Sequence, residues 1–185
     1  KESKINSDFK KIFYYIGLVI LHYAIHYWSH SVFVIPFMRR ICFLTNISLF
    51  LNTVYYTSML LVHLNLIKFH PDLEKGLFKF AYCISFVVFS LYWAMVVFTP
   101  ELLYKGSFRH PHIRPTIHGT NYLLNVVEAK FINPRENYNI KLVFYVGFCI
   151  VYGLLLKFVL HFLEWTTYPF VENSSVYEYT IILVI

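Results

Sequence analysis

Thr45, His118, His161 and Glu164 are the side chains whose types and placement could do chemistry. A hydroxyl within reach of an imidazole is the minimum for nucleophilic acyl transfer, because the ring takes the hydroxyl proton as the new bond forms. All four lie in or beside apolar stretches, where ionisable groups are costly and mark function by default. The segment TIHGTNYLLNVVEA, residues 116–129, sets His118, Asn121, Asn125 and Glu128 into otherwise lipid-soluble sequence. At helical spacing these four fall within about 80° of one helix face. Thr45, Ser48 and Asn52 fall within about 60° of another, flanked by Tyr55 and Tyr56. Stripes of this kind also form the interhelical hydrogen-bond seams of membrane bundles. Each stripe therefore reads either as a polar interior that serves a reaction or as a seam.

His22, His26 and His30 form another series, at i, i+4 and i+8. Such spacing can supply metal or haem ligands. It also suits a Tyr- and His-rich face near a membrane interface, where amphipathic rings are comfortable. A di-iron lipid oxidase calls for adjacent His-His pairs, and the sequence has none. No metal or other cofactor is expected. Cys42, Cys83 and Cys149 are an odd set without a CxxC pair, which reads as small apolar side chains rather than a disulfide framework.

The elements that must position these groups follow from composition. Of 185 residues, 58% are hydrophobic and 14% charged, against about 25% charged in a soluble domain. The formal charge of +6 is spread too thinly for a nucleic-acid surface. Five apolar stretches, near 12–37, 42–66, 77–98, 116–129 and 140–162, approach the ~20 residues that a spanning helix needs. Pro36 ends or kinks the first. A sixth stretch starts near Val176 and is cut off at Ile185. The chain opens at Lys1 rather than Met, so a missing or processed start is expected. The expected fold is an all-α polytopic transmembrane bundle, five spanning helices plus a partial sixth, in one domain over 1–185. Short polar loops carry ten Lys and Arg on the face of the N-terminus and five on the other, which places the N-terminus on the cytoplasmic-type side. Thr45 and His118 then stand near the starts of helices that enter from the same opposite side, and His161 and Glu164 near the end of one that leaves there.

The stretches FLTNISLFLNTVYY (43–56), TIHGTNYLLNVVE (116–128) and HFLEWTTYPFVE (161–172) resemble the androgen-induced protein family. That family comprises polytopic membrane hydrolases of fatty acid esters of hydroxy fatty acids. The resemblance spans roughly residues 40–185. It implies that Thr45 is a nucleophile and His118 its catalytic partner, with Glu128 ten residues after the His as in the family. His161 falls where the family has a His, and TYPFVE is similar to its YPFLE signature. The chain departs from the pattern at Gly119, where a Thr commonly follows the His. It departs again at Glu164 or Trp165, where a Gly is expected, and at Pro115, where a second His is expected. Ser48, Asn52, Asn121 and His161 are candidates to orient His118 or bind the oxyanion. The expected partners are membrane lipids and a lipid ester, not nucleic acid. The expected location is an endomembrane, the endoplasmic reticulum first, with the mitochondrial inner membrane as the alternative. A second reading is a non-catalytic relative that serves as a structural subunit of a larger membrane assembly.

Overall fold

Polar punctuation explains where the helices stop. The computed structural model describes residues 2–32, 43–98, 113–132 and 142–163. Helix α1 runs Glu2–Val32, α2 Leu44–His63, α3 Pro71–Phe98, α4 Ile113–Val127 and α5 Leu142–Leu163; a π-helical turn, Glu128–Ile132, continues α4. There is no strand among the described residues. Asn65 closes α2 in the left-handed conformation, φ 57°, while the Leu66 N–H donates to Leu61 O at 2.9 Å. That is the arrangement in which an Asn or Gly just past a helix satisfies its last carbonyls. Pro71 then starts α3 at the position where its missing N–H costs nothing. His70 caps it, its Nδ1 accepting from the Asp72 N–H at 3.4 Å, and Asp72 and Glu74 complement the positive helix end.

Two helices start well before their apolar stretches. Helix α1 begins at Glu2 and α3 at Pro71, because polar residues with adequate propensity extend a turn that apolar residues have nucleated. Pro36, Cys42, Glu164, the TYPFVE run and the stretch from Val176 lie outside the described residues. By length and composition one described helix, α3, qualifies to cross a membrane, and Val146–Phe158 is a shorter apolar piece of α5. The other expected spans miss that test for a physical reason. Helix α4 has 15 residues, and the Asn, Ser, Thr, Tyr and His side chains of α1 and α2 lower their hydropathy.

The chain forms two compact units, Lys1–Val34 with Ser48–Glu136, and Ile35–Ile47 with Asn137–Ile185. In the first, α3 packs along α4. Tyr122 of α4 lies among Tyr82, Phe86 and Phe89 of α3, with ring centroids 5.7, 5.4 and 4.9 Å away. Ile25, Leu49 and Ile117 join α1, α2 and α4 in one apolar cluster. In the second unit, α5 buries Cys149, Tyr152 and Leu156 at helical spacing and exposes Val151, Leu154 and Phe158. Cys83 is half-buried and Cys149 buried. Beside an apolar core, the bundle exposes large apolar side chains and buries several polar ones. Phe98 is 80% and Trp93 39% exposed, while Asn52, Asn125 and Glu128 are 0% exposed. Apolar surface outside and paired polar groups inside fit a membrane protein.

Candidate functional site

The polar stripe of α4 faces inward, as its spacing predicts. Asn121, Asn125 and Glu128 are buried and His118 is half-buried. Glu128 opens the π turn, and its Oε1 accepts from Tyr15 Oη at 2.5 Å and from Tyr55 Oη at 3.1 Å. Hydrogen bonds of this kind are how a carboxyl group is kept in an apolar interior. One turn earlier, Asn125 Oδ1 accepts from Tyr56 Oη at 2.8 Å, and Asn125 Nδ2 donates to Ser85 Oγ at 3.1 Å.

The stripe of α2 meets the same hub. Asn52 Nδ2 donates to Ser85 Oγ at 2.9 Å and to Ser48 O at 2.8 Å, and Ser48 Oγ lies 3.0 Å from Ser85 Oγ. Ser85 Oγ donates in turn to Ala81 O at 2.7 Å. One hydroxyl on α3 thus gathers α2 and α4. Ser85 was not among the sequence candidates. Its signal is a single hydroxyl within ISFVVF, and a Ser that bonds back to its own helix is a common, silent occupant of such a position. Tyr15 was missed as well, because nothing in its own helix points to a carboxyl group 113 residues away.

His118 stacks on Tyr92 of α3, with ring centroids 4.3 Å apart. The next residue, Gly119, is buried, and a Cβ added there would meet nothing within 4 Å. In α1, His22 Nδ1 lies 2.8 Å from Leu18 O, and His26 Nε2 lies 3.2 Å from Thr53 Oγ1. The two imidazoles thus turn to different partners, and the His30 side chain lies outside the description. No three His, Cys, Asp or Glu side chains gather as a metal site among the described residues.

The candidates therefore sort into distinct surroundings. Ser48 and Asn52 belong to the Ser85 hub, while Asn121 lies buried on the α4 stripe. Thr45 is half-buried in the first turn of α2 and belongs to the second unit. His161, also of the second unit, is exposed in the last turn of α5, edge-on to Phe162 with centroids 4.9 Å apart. No curated protein and no solved structure matches the chain. A family model described as FAR-17a/AIG1-like protein matches residues 9–185, nearly the whole sequence, and the chain belongs to that family, the androgen-induced gene 1 family.

Proposed function

We propose that the chain is a polytopic membrane hydrolase of lipid esters, with fatty acid esters of hydroxy fatty acids as the substrate class. Membership of the FAR-17a/AIG1-like family over residues 9–185 carries this reading. The inward polar stripes and outward apolar surface support a chain embedded in lipid, crossing it five times with a sixth helix beyond, its N-terminus on the cytoplasmic-type side. The endoplasmic reticulum is the membrane proposed.

Thr45 Oγ attacks the ester carbonyl while His118 takes its proton. The tetrahedral oxyanion collapses, expelling an alkoxide that receives the proton from His118, and an acyl-threonine remains. Water, deprotonated by His118, attacks the acyl carbonyl and releases the fatty acid and the restored Thr45. A Thr hydroxyl is a poor nucleophile without a base about 3 Å away, so both groups are needed in both half-reactions. Thr45 sits in the first turn of α2, where the partial positive charge of the helix end favours a developing oxyanion. Stacking on Tyr92 limits the orientations open to the His118 ring. Ser48 and Asn52 are engaged by Ser85, which favours a positioning part for them over direct contact with substrate.

The test is hydrolysis of a long-chain lipid ester by purified protein. Thr45→Ala and His118→Ala each abolish turnover with the fold retained, the double variant is no worse than either, and Thr45→Ser keeps part of the activity. A wild type inactive across several ester classes, or full turnover by Thr45→Ala, overturns the proposal in favour of a structural subunit.

A further inference from the structure

Among the buried polar atoms of the first unit that make no hydrogen bond are His22 Nε2, Asn52 Oδ1 and both amide atoms of Asn121. None of the three residues is more than 2% exposed. Burying a polar atom without a bond is costly, and such atoms are few in folded proteins. Their grouping is therefore informative.

The helix register brings them to one level. Tyr15 bonds to Glu128 and Ile25 clusters with Ile117, so α1 and α4 run antiparallel and His22 stands opposite Asn121. Helix α2 runs parallel to α4, since Tyr56 bonds to Asn125 and Leu49 clusters with Ile117. One turn back from Tyr56 and Asn125 stand Asn52 and Asn121. The His22 ring packs on Tyr56 with centroids 5.0 Å apart, which fixes it at this level.

The proton inventory states what would fit. Leu18 O only accepts, so His22 Nδ1, 2.8 Å from it, carries the proton and Nε2 of the neutral ring is a bare lone pair. Asn52 cannot be turned over, because its oxygen would then face the Ser48 carbonyl that Nδ2 now reaches at 2.8 Å. Its Oδ1 is therefore a fixed acceptor. Asn121 adds one acceptor and one donor group. Acceptors are in surplus, so the missing partner must donate a proton and also accept one.

We propose that His22, Asn52 and Asn121 form a buried site for a neutral hydroxyl group. A carboxylate or phosphate only accepts and would face three acceptors. A cation would meet neutral ligands alone, since Glu128 lies two turns along α4 in the grip of Tyr15 and Tyr55, and an uncompensated charge in this interior is disfavoured. The hydroxyl comes from one of two sources, a water molecule or a long-chain alcohol from the bilayer.

The full chain in detergent micelles separates the sources. With lipid alcohol as the occupant, 1-hexadecanol raises the melting temperature by a few degrees and hexadecane does not; the gain disappears in Asn121→Leu and persists in Thr45→Ala. With water as the occupant, hexadecanol has no effect, and a dipolar cross-peak links water protons to the His22 ring protons. Absence of both signals overturns the site. Persistence in Thr45→Ala keeps this outcome independent of the hydrolase proposal, and the comparison of hexadecanol with hexadecane on the wild type needs no variant to fold.

Discussion

The two halves of α4 carry one polar stripe and treat it in opposite ways. Toward the C-terminal end, Asn125 is bonded by Tyr56 and Ser85, and Glu128 by Tyr15 and Tyr55. Toward the N-terminal end, Asn121 is buried with neither amide atom bonded, and open space adjoins Gly119. Sequence spacing cannot tell these halves apart, since each puts a polar group inward at helical period. Bond satisfaction can. A stripe bonded to several helices locks them together, whereas the Asn121 amide makes no such link.

If that contrast holds, stability belongs to the C-terminal half and ligand response to the N-terminal half. Glu128→Leu tests the first claim most severely. It strips the acceptor from the Tyr15 and Tyr55 hydroxyls inside the bundle, and two orphaned donors cost about 2–4 kcal/mol. The measurement is thermal or denaturant unfolding in a fixed detergent; a loss below the uncertainty of that measurement would show that the carboxyl group is not a structural anchor. Ser85→Ala comes next. It removes the hub shared by Ser48, Asn52 and Asn125, and about 1–3 kcal/mol should go with it. Unfolding in a membrane mimetic lets released groups find other partners, so the lower part of that range is expected.

Much of this was legible in the sequence, and the limits have physical causes. Helical periodicity correctly turned Asn121, Asn125 and Glu128 inward, and likewise Ser48, Asn52, Tyr55 and Tyr56, because geometry within a helix is local. Membership of the androgen-induced gene 1 family could be read from the 43–56, 116–128 and 161–172 stretches. What periodicity cannot supply is the partner on another helix. Tyr15 and Ser85 look like routine occupants of apolar helices, and only the packing reveals that one holds Glu128 and the other joins α2 to α4. The same holds for His22. Its i, i+4 spacing with His26 fits ligation and an interfacial face alike, and in the fold the two rings meet different residues, Leu18 and Tyr56 for one and Thr53 for the other.

Gly119 sharpens the contrast from the other side. A Cβ there meets nothing within 4 Å, so Gly119→Ala introduces no clash and removes the glycine's entropic penalty in a helix. The expected outcome is a gain of about 0.5–1 kcal/mol in unfolding experiments. A destabilised Gly119→Ala protein would mean that the space beside His118 closes up in the membrane. Turnover measured on the same variant then reports whether that space is used by substrate.

The smallest effect is the most discriminating, because it pits one Asn against another four residues away. Asn125 and Asn121 lie on the same helix face and are equally buried, at 0% and 2% exposure. Replacing Asn125 with Leu leaves the Tyr56 hydroxyl without its acceptor and takes one donor from Ser85, a loss of about 1–3 kcal/mol. Replacing Asn121 with Leu breaks no side-chain hydrogen bond among the described residues. It also puts an apolar group into an apolar interior, so unfolding should shift by no more than about 0.5 kcal/mol without added alcohol. Both substitutions add similar bulk at similar depth, so overpacking should weigh on each alike, and the difference between them reads the hydrogen bonds. Equal losses from the two variants would place Asn121 in the same locked seam as Asn125, and the distinction between the halves of α4 would fall. A large loss at Asn125 beside a negligible one at Asn121 establishes it, and identifies the N-terminal half of the stripe as the part of the bundle not committed to holding itself together.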